Sequence, residues 1–251
     1  MSVVDINHQT DFSGSILIEA RQLRPLVDMA RQAGVGIGPI LADLGLPADL
    51  WASRPDAMAP LAIYYRLRNL LSAAMGDETC KLSSRPLMPG SADFILSHLD
   101  GAKTLKDAMK QVADYYNLLH GGEYNSVRRR GDAVLLVTDD RDFPYRRRDD
   151  LEHVRFAMEC VQIYLYGTLS MLAPSAVTGL KSVAVTRPRG GGLGAGQLGF
   201  WTAPVRYGAS VYALEFDSEA ALAPIVLPPA EMLTAREVYE HVLDMVEARG
   251  R

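Results

Sequence analysis

The sequence predicts an α+β fold in which helices pack around a small mixed or barrel-like β-sheet. Two long stretches keep apolar residues at spacings of three and four, namely Leu105, Ala108, Val112, Tyr115 and Leu119, and then Leu151, Val154, Met158, Val161, Leu165 and Leu172. Between them the period falls to two. Glu123 to Arg129 and Ala133 to Thr138 read as strands joined by Arg130-Gly131-Asp132, a hairpin whose glycine supplies a tight turn. A third observation is the aromatic-rich stretch Gly199 to Phe216, which ends in a strand-like alternation.

Residues 1 to 15 are polar and read as a mobile or extended leader. Ile16-Leu17-Ile18 is a short strand. From Ala20 a helical stripe of Leu23, Leu26, Val27 and Ala30 runs to a capping Gly34, and a second short helix spans Gly38 to Leu44 before Gly45. Helix, glycine turn and helix suggest a DNA reader, but Ile37 to Leu44 carries none of the Arg, Lys, Asn or Gln side chains that reach base edges. After a loop at Pro55 to Met58, Pro60 opens a helix to Met75 with Ile63, Leu67, Leu70 and Ala74 as its buried stripe and Tyr64, Tyr65 and Arg68 beside it. Another helix lies around Ser91 to Leu99.

Thr104 and Asp107 form a capping box for the helix that Gly121-Gly122 stops. Asp149, Asp150 and Glu152 sit at the start of the longest helix, where its dipole favours acids. Its second half is apolar nearly all round, so its heptad-like face is expected to serve as core and as a subunit interface through Leu151, Val154, Met158, Val161, Leu165 and Leu172. Ser182 to Thr186 is a strand, and Gly190 to Gly199 a flexible glycine-rich loop. Gly194 to Gly199 matches G-x-G-x-x-G, yet Phe200-Trp201-Thr202-Ala203-Pro204 follows where a dinucleotide fingerprint requires a helix. A short helix at Ser218 to Ala223 precedes a proline-stiffened linker. A second capping box, Thr234 to Glu237, with Leu233 and Val238 as staple, starts a last helix that Gly250 halts.

Length and composition suit a globular protein of one large or two small domains, since 251 residues with 48% hydrophobic and 22% charged side chains exclude a disordered or fibrous class. A net charge of -4 argues against a general nucleic-acid binder. The basic runs Arg128 to Arg130 and Arg146 to Arg148 read as solvated turns. Cys80 and Cys160, isolated in apolar surroundings, read as inert thiols in a reducing compartment. No secretory signal or bilayer-spanning run is evident, so a cytoplasmic location without membrane contact is expected. The five histidines are scattered singly, and no G-x-S-x-G elbow or phosphate-binding loop occurs, so neither enzyme activity, metal nor cofactor is expected.

Three segments, in order, resemble the N-terminal sensor domain of AraC/XylS-type transcriptional regulators. They are Gly34 to Leu46 with Gly76 to Leu82, Thr104 to Ala108 with Tyr115-Tyr116, and Phe200 to Ala209 followed by Leu214-Glu215-Phe216. The resemblance implies a bacterial ligand-sensing and dimerisation domain at residues 1–229, and a linker and first helix at 230–251. It also implies a small-molecule effector, a homodimer, and DNA contact only through a C-terminal helix-turn-helix domain missing from this chain. The alternative is a stand-alone small-molecule-binding or interaction module. Chemistry alone nominates Tyr64, Arg68, Tyr115, Tyr116, Trp201, Arg206 and Tyr207 as ligand contacts.

Overall fold

The computed structural model describes residues 15–47, 57–99, 101–190, 194–229 and 232–249. Most of the expected leader, the start of the loop at Pro55, part of the glycine-rich loop and the stop at Gly250 lie outside them. Strand β1 (Leu17–Glu19) pairs antiparallel with β2 (Met58–Pro60), so part of the expected loop before Pro60 is a strand. A 3-10 turn over Ala20–Leu23 leads into α1 (Arg24–Gln32), and α2 (Ile37–Asp43) follows.

The main sheet is mixed, five-stranded and open, in the order β3-β4-β7-β5-β6, and does not close into a barrel. Its strands are β3 (Asn125–Arg130), β4 (Ala133–Thr138), β5 (Leu180–Ala184), β6 (Val205–Arg206) and β7 (Tyr212–Asp217). Gly131 at φ 58° makes the β3–β4 turn that an L side chain resists. The alternating end of Gly199 to Phe216 becomes β7, the central strand, which pairs with β4 and β5. Period-two alternation separates its faces. Tyr212, Leu214 and Phe216 enter the main core, whereas Ala213 joins Ala133, Leu135, Val137 and Ala184 on the other side. On that second side Glu215 accepts hydrogen bonds from Arg130, Arg206 and Ser182.

The remaining helices are α3 (Leu61–Met75), α4 (Ser91–Ser97), α5 (Leu105–His120), α6 (Leu151–Leu172), α7 (Ser218–Leu222) and α8 (Ala235–Arg249). Pro60 caps α3 rather than opening it. The α3 stripe is rotated from the expected one: Leu61, Tyr64, Tyr65, Leu67 and Leu71 are buried, while Leu70 and Ala74 face solvent. The large Tyr64 and Tyr65 rings, in edge contact with each other and, for Tyr64, with Phe156, claim the interior. The Thr104 capping box forms as expected, with Asp107 N–H donating to Thr104 Oγ1 (3.1 Å) and Thr104 N–H to Asp107 Oδ2 (3.0 Å).

Helix α6 is the hub. Its Gln162 side chain donates to the carbonyls of Ala184 (3.1 Å) and Ala213 (3.3 Å), tying it to the sheet. Val154, Met158, Leu165 and Leu172 are buried inside this chain and Val161 is partly buried, leaving Leu151 as the exposed member of the heptad face. That face is spent on the chain's own interior. Helix α8 packs against α6 and α3 by Val238, Val242 and Val246, whose burial contributes roughly 1.5–3 kcal/mol each. At Gly167 of α6 a β-carbon would fall 2.4 Å from Val242 Cγ2 of α8.

The described part of the glycine-rich loop is tied to the core by side-chain hydrogen bonds. Gln22 Nε2 donates to the Gly194 carbonyl (2.9 Å), and Gln197 donates to the buried Glu159 carboxylate. Glu159 also receives Arg187 Nε (3.0 Å) and Nη2 (3.1 Å), both partners being almost wholly buried. Gly196 lies against the Leu17 carbonyl at a distance that no side chain would fit. These peptides form internal packing and leave no phosphate cradle.

Candidate functional site

A cavity of about 400 Å³ opens between α3, α5, α6, α8 and the β3–β4 end of the sheet. Its apolar walls come from Met158, Val161 and Leu165 of α6, with Leu82, Leu87, Ala92 and Phe143 from loops and α4. Polar groups enter from Tyr64, Arg68, Tyr116, Tyr164 and Tyr239, from Glu78 and His120, and from Asn125 and Thr138 at the sheet. Apolar walls with a few convergent polar anchors, at the low end of ligand-pocket volumes, are what a small-molecule site requires.

Arg68 is held by Tyr239 Oη and by the Glu78 carbonyl, to which its Nη2 donates at 2.8 Å. Tyr65 Oη donates to the Cys160 carbonyl (2.9 Å) and so fixes α3 against α6. The loop after α3 is built on Asp77, a fully buried carboxylate. Its Oδ1 accepts from Thr79 N–H (2.9 Å), Thr79 Oγ1 (2.8 Å) and Leu87 N–H (3.1 Å), and its Oδ2 from Lys81 N–H (3.1 Å). These bonds hold Cys80 and Lys81 in the left-handed region, at φ 50° and 63°. They also set Glu78 at the cavity, where its two carboxylate oxygens take the N–H groups of Gly90 (2.7 Å) and Ala92 (2.9 Å).

Burial sets the protonation of this site. It pushes the phenols of Tyr64, Tyr116, Tyr164 and Tyr239 up, so they remain neutral hydroxyls. It pushes Cys80 up to about 11 and Cys160 well up, which makes both thiols inert. Burial lowers His120 to about 4, and its Nδ1 has no hydrogen-bond partner among the described residues. Burial also pushes the Glu78 carboxyl up, against the backbone N–H groups that favour its charge. Among the described residues no cluster of His, Cys, Asp or Glu is placed to hold a metal ion, and no helix is long and apolar enough to cross a membrane.

Of the residues nominated from sequence, the structure brings Tyr64, Arg68 and Tyr116 together at the cavity. The other four lie elsewhere. Tyr115 faces Phe94 and His98 on the outer side of α5. Trp201 packs in edge contact with Tyr166 and Phe200. Arg206 pairs with Glu215 (3.1 Å) on the sheet face remote from α6, and Tyr207 lies under Arg189. Sequence reasoning missed Glu78, His120, Tyr164 and Tyr239. Tyr239 had a usable signal, since a tyrosine one place after Val238 on the last helix falls beside its apolar stripe. Met158, Val161 and Leu165, also nominated for a subunit interface, line the cavity.

No curated protein matches the chain. Residues 34–225 match the family described as the arabinose-binding domain of AraC transcription regulator, N-terminal. The match takes in α2 to α7, the main sheet, and every cavity wall except that formed by α8. With most of its length covered by this family, which is a ligand-binding regulatory domain and not an enzyme class, the chain belongs to the N-terminal arabinose-binding domains of AraC transcription regulators.

Proposed function

We propose that the chain is the ligand-sensing domain of a bacterial, cytoplasmic transcription regulator and that its effector binds in the cavity between α3, α5, α6 and α8. One observation carries this reading. The cavity wall includes Ala235, Arg236 and Tyr239 of α8, the last described helix, and Arg68 inside the cavity is hydrogen-bonded to Tyr239. An occupant that contacts Arg68 therefore acts directly on the α3–α8 contact. A ligand shifts a conformational equilibrium only by its differential affinity for the two states, and a helix that is both wall and C-terminal exit supplies that difference. Pairing of two copies, and control of DNA through a helix-turn-helix domain outside this chain, belong to the same reading. The family resemblance supports both.

The test combines a thermal-shift screen of metabolites with hydrogen exchange of α8. A compound that stabilises the protein is expected to slow exchange in residues 235–249 and to lose its effect when Leu165→Trp fills the cavity. Stabilisation that survives Leu165→Trp, or that leaves α8 exchange unchanged, contradicts the reading.

A further inference from the structure

Three charged side chains line the cavity among the described residues: the guanidiniums of Arg68 and Arg236, and the carboxylate of Glu78. The negative one is already engaged, each of its oxygens taking a backbone N–H. The Arg68 guanidinium is not. Arg68 sits half-buried with one bond to a neutral phenol and one to a carbonyl, and no carboxylate among the described residues lies within ion-pair distance of it. A guanidinium offers five N–H donors in a planar fork, and a half-buried one with no carboxylate in ion-pair contact among the described residues leaves donors for a ligand anion.

A second feature of the same cavity is an imidazole. His120, which is 8% exposed and stacks on Tyr116, also lines the cavity, and its Nδ1 has no hydrogen-bond partner among the described residues. The rest of the lining decides the body of the ligand. Met158, Val161 and Leu165 of α6 give the cavity an apolar strip against which a hydrocarbon can lie.

Resting on the sensor reading above, we infer that the effector is a monocarboxylic acid with an apolar body, its carboxylate forked by Arg68 and its hydrocarbon laid against Met158, Val161 and Leu165. One carboxylate balances the lining charge, two guanidiniums against one acid. A phosphate dianion reverses that balance. An amine meets the field of Arg68 without a free carboxylate.

The test is calorimetric titration of the full chain with matched probes: octanoate and 3-phenylpropionate, their primary amides, octylamine and L-arabinose. The acids are expected to bind at least about tenfold more tightly than their amides, as charge-assisted hydrogen bonds allow. Arg68→Gln is expected to erase that preference and Arg68→Lys to retain part of it. Because the contrast between acid and amide is read on the unaltered protein, it holds even where Arg68→Gln fails to fold. An amide, octylamine or arabinose that binds as well as the acids overturns the inference, as does an acid preference that survives Arg68→Gln. If such binding is lost in Leu165→Trp, the carboxylate class fails while the cavity stands as the effector site. Binding of any probe that Leu165→Trp leaves intact sinks both, and failure of both acids to bind overturns the carboxylate class.

Discussion

Gly167 of α6 and Val242 of α8 make a sharp test of the contact that joins the cavity to the C-terminal helix. A β-carbon on Gly167 would lie 2.4 Å from Val242 Cγ2, more than 1 Å inside the carbon–carbon contact distance of roughly 3.5–4.0 Å. Valine has one preferred rotamer in a helix and little freedom to step aside. Gly167→Ala gains about 1 kcal/mol of helix propensity, while overpacking a fitted contact costs about 1–3 kcal/mol. The net expectation is a loss of about 0–2 kcal/mol. In a Val242→Ala background the clash is gone, and the same substitution should stabilise by up to about 1 kcal/mol. Urea unfolding of the two single variants and the double variant reads this as a coupling of about 1–3 kcal/mol, well above the roughly 0.5 kcal/mol expected of independent sites. Additive effects, or a Gly167→Ala variant more stable than the parent, would refute the packing of α8 on α6 as described.

Two further predictions concern buried charge and acid stability. Arg187→Met leaves Glu159 buried without its cation and should cost about 3–5 kcal/mol, whereas adding Glu159→Gln should recover much of it, because breaking a buried pair costs more than removing both members; a double variant no more stable than Arg187→Met counts against that pair as the anchor. His153, whose two ring nitrogens lack partners among the described residues, is lowered by burial to about 4, so the folded state loses stability as pH falls from the ordinary histidine value through that figure. At pH 5 this amounts to about 2 kcal/mol, and His153→Leu should therefore flatten the acid limb of a urea-unfolding series, an unchanged limb being the contrary result.

The parts of this protein that read directly from sequence are those fixed by local chemistry. Thr104 and Asp107 cap α5 through bonds three residues apart, and Gly131 turns a hairpin whose strands alternate, so each signal lies within a few neighbouring residues. Which way an apolar stripe faces is not local. The α3 stripe turned on where Tyr64 and Tyr65 find room against Phe156 and Cys160, both supplied by a helix about ninety residues away. The α6 heptad face illustrates the same limit from the other side. Periodicity shows that Met158, Val161 and Leu165 must be covered, but not that the cover is a cavity within the same chain. The cavity itself needs residues from five helices, two strands and a loop organised on Asp77, and no sequence spacing relates Arg68 to Tyr239. The glycine-rich loop misled for a different reason, because its anchors Gln22 and Glu159 are both remote in sequence.

The most direct test of the central claim, that ligand contact at Arg68 is felt by α8, is hydrogen exchange at residues 235–249 with and without a bound carboxylate, compared between the parent and Tyr239→Phe. That variant removes the hydroxyl that receives Arg68 and keeps the ring. The parent is expected to show slower α8 exchange on binding, and Tyr239→Phe to bind with that response reduced. Equal protection of α8 in both proteins would contradict the coupling of cavity and helix through Arg68 and Tyr239.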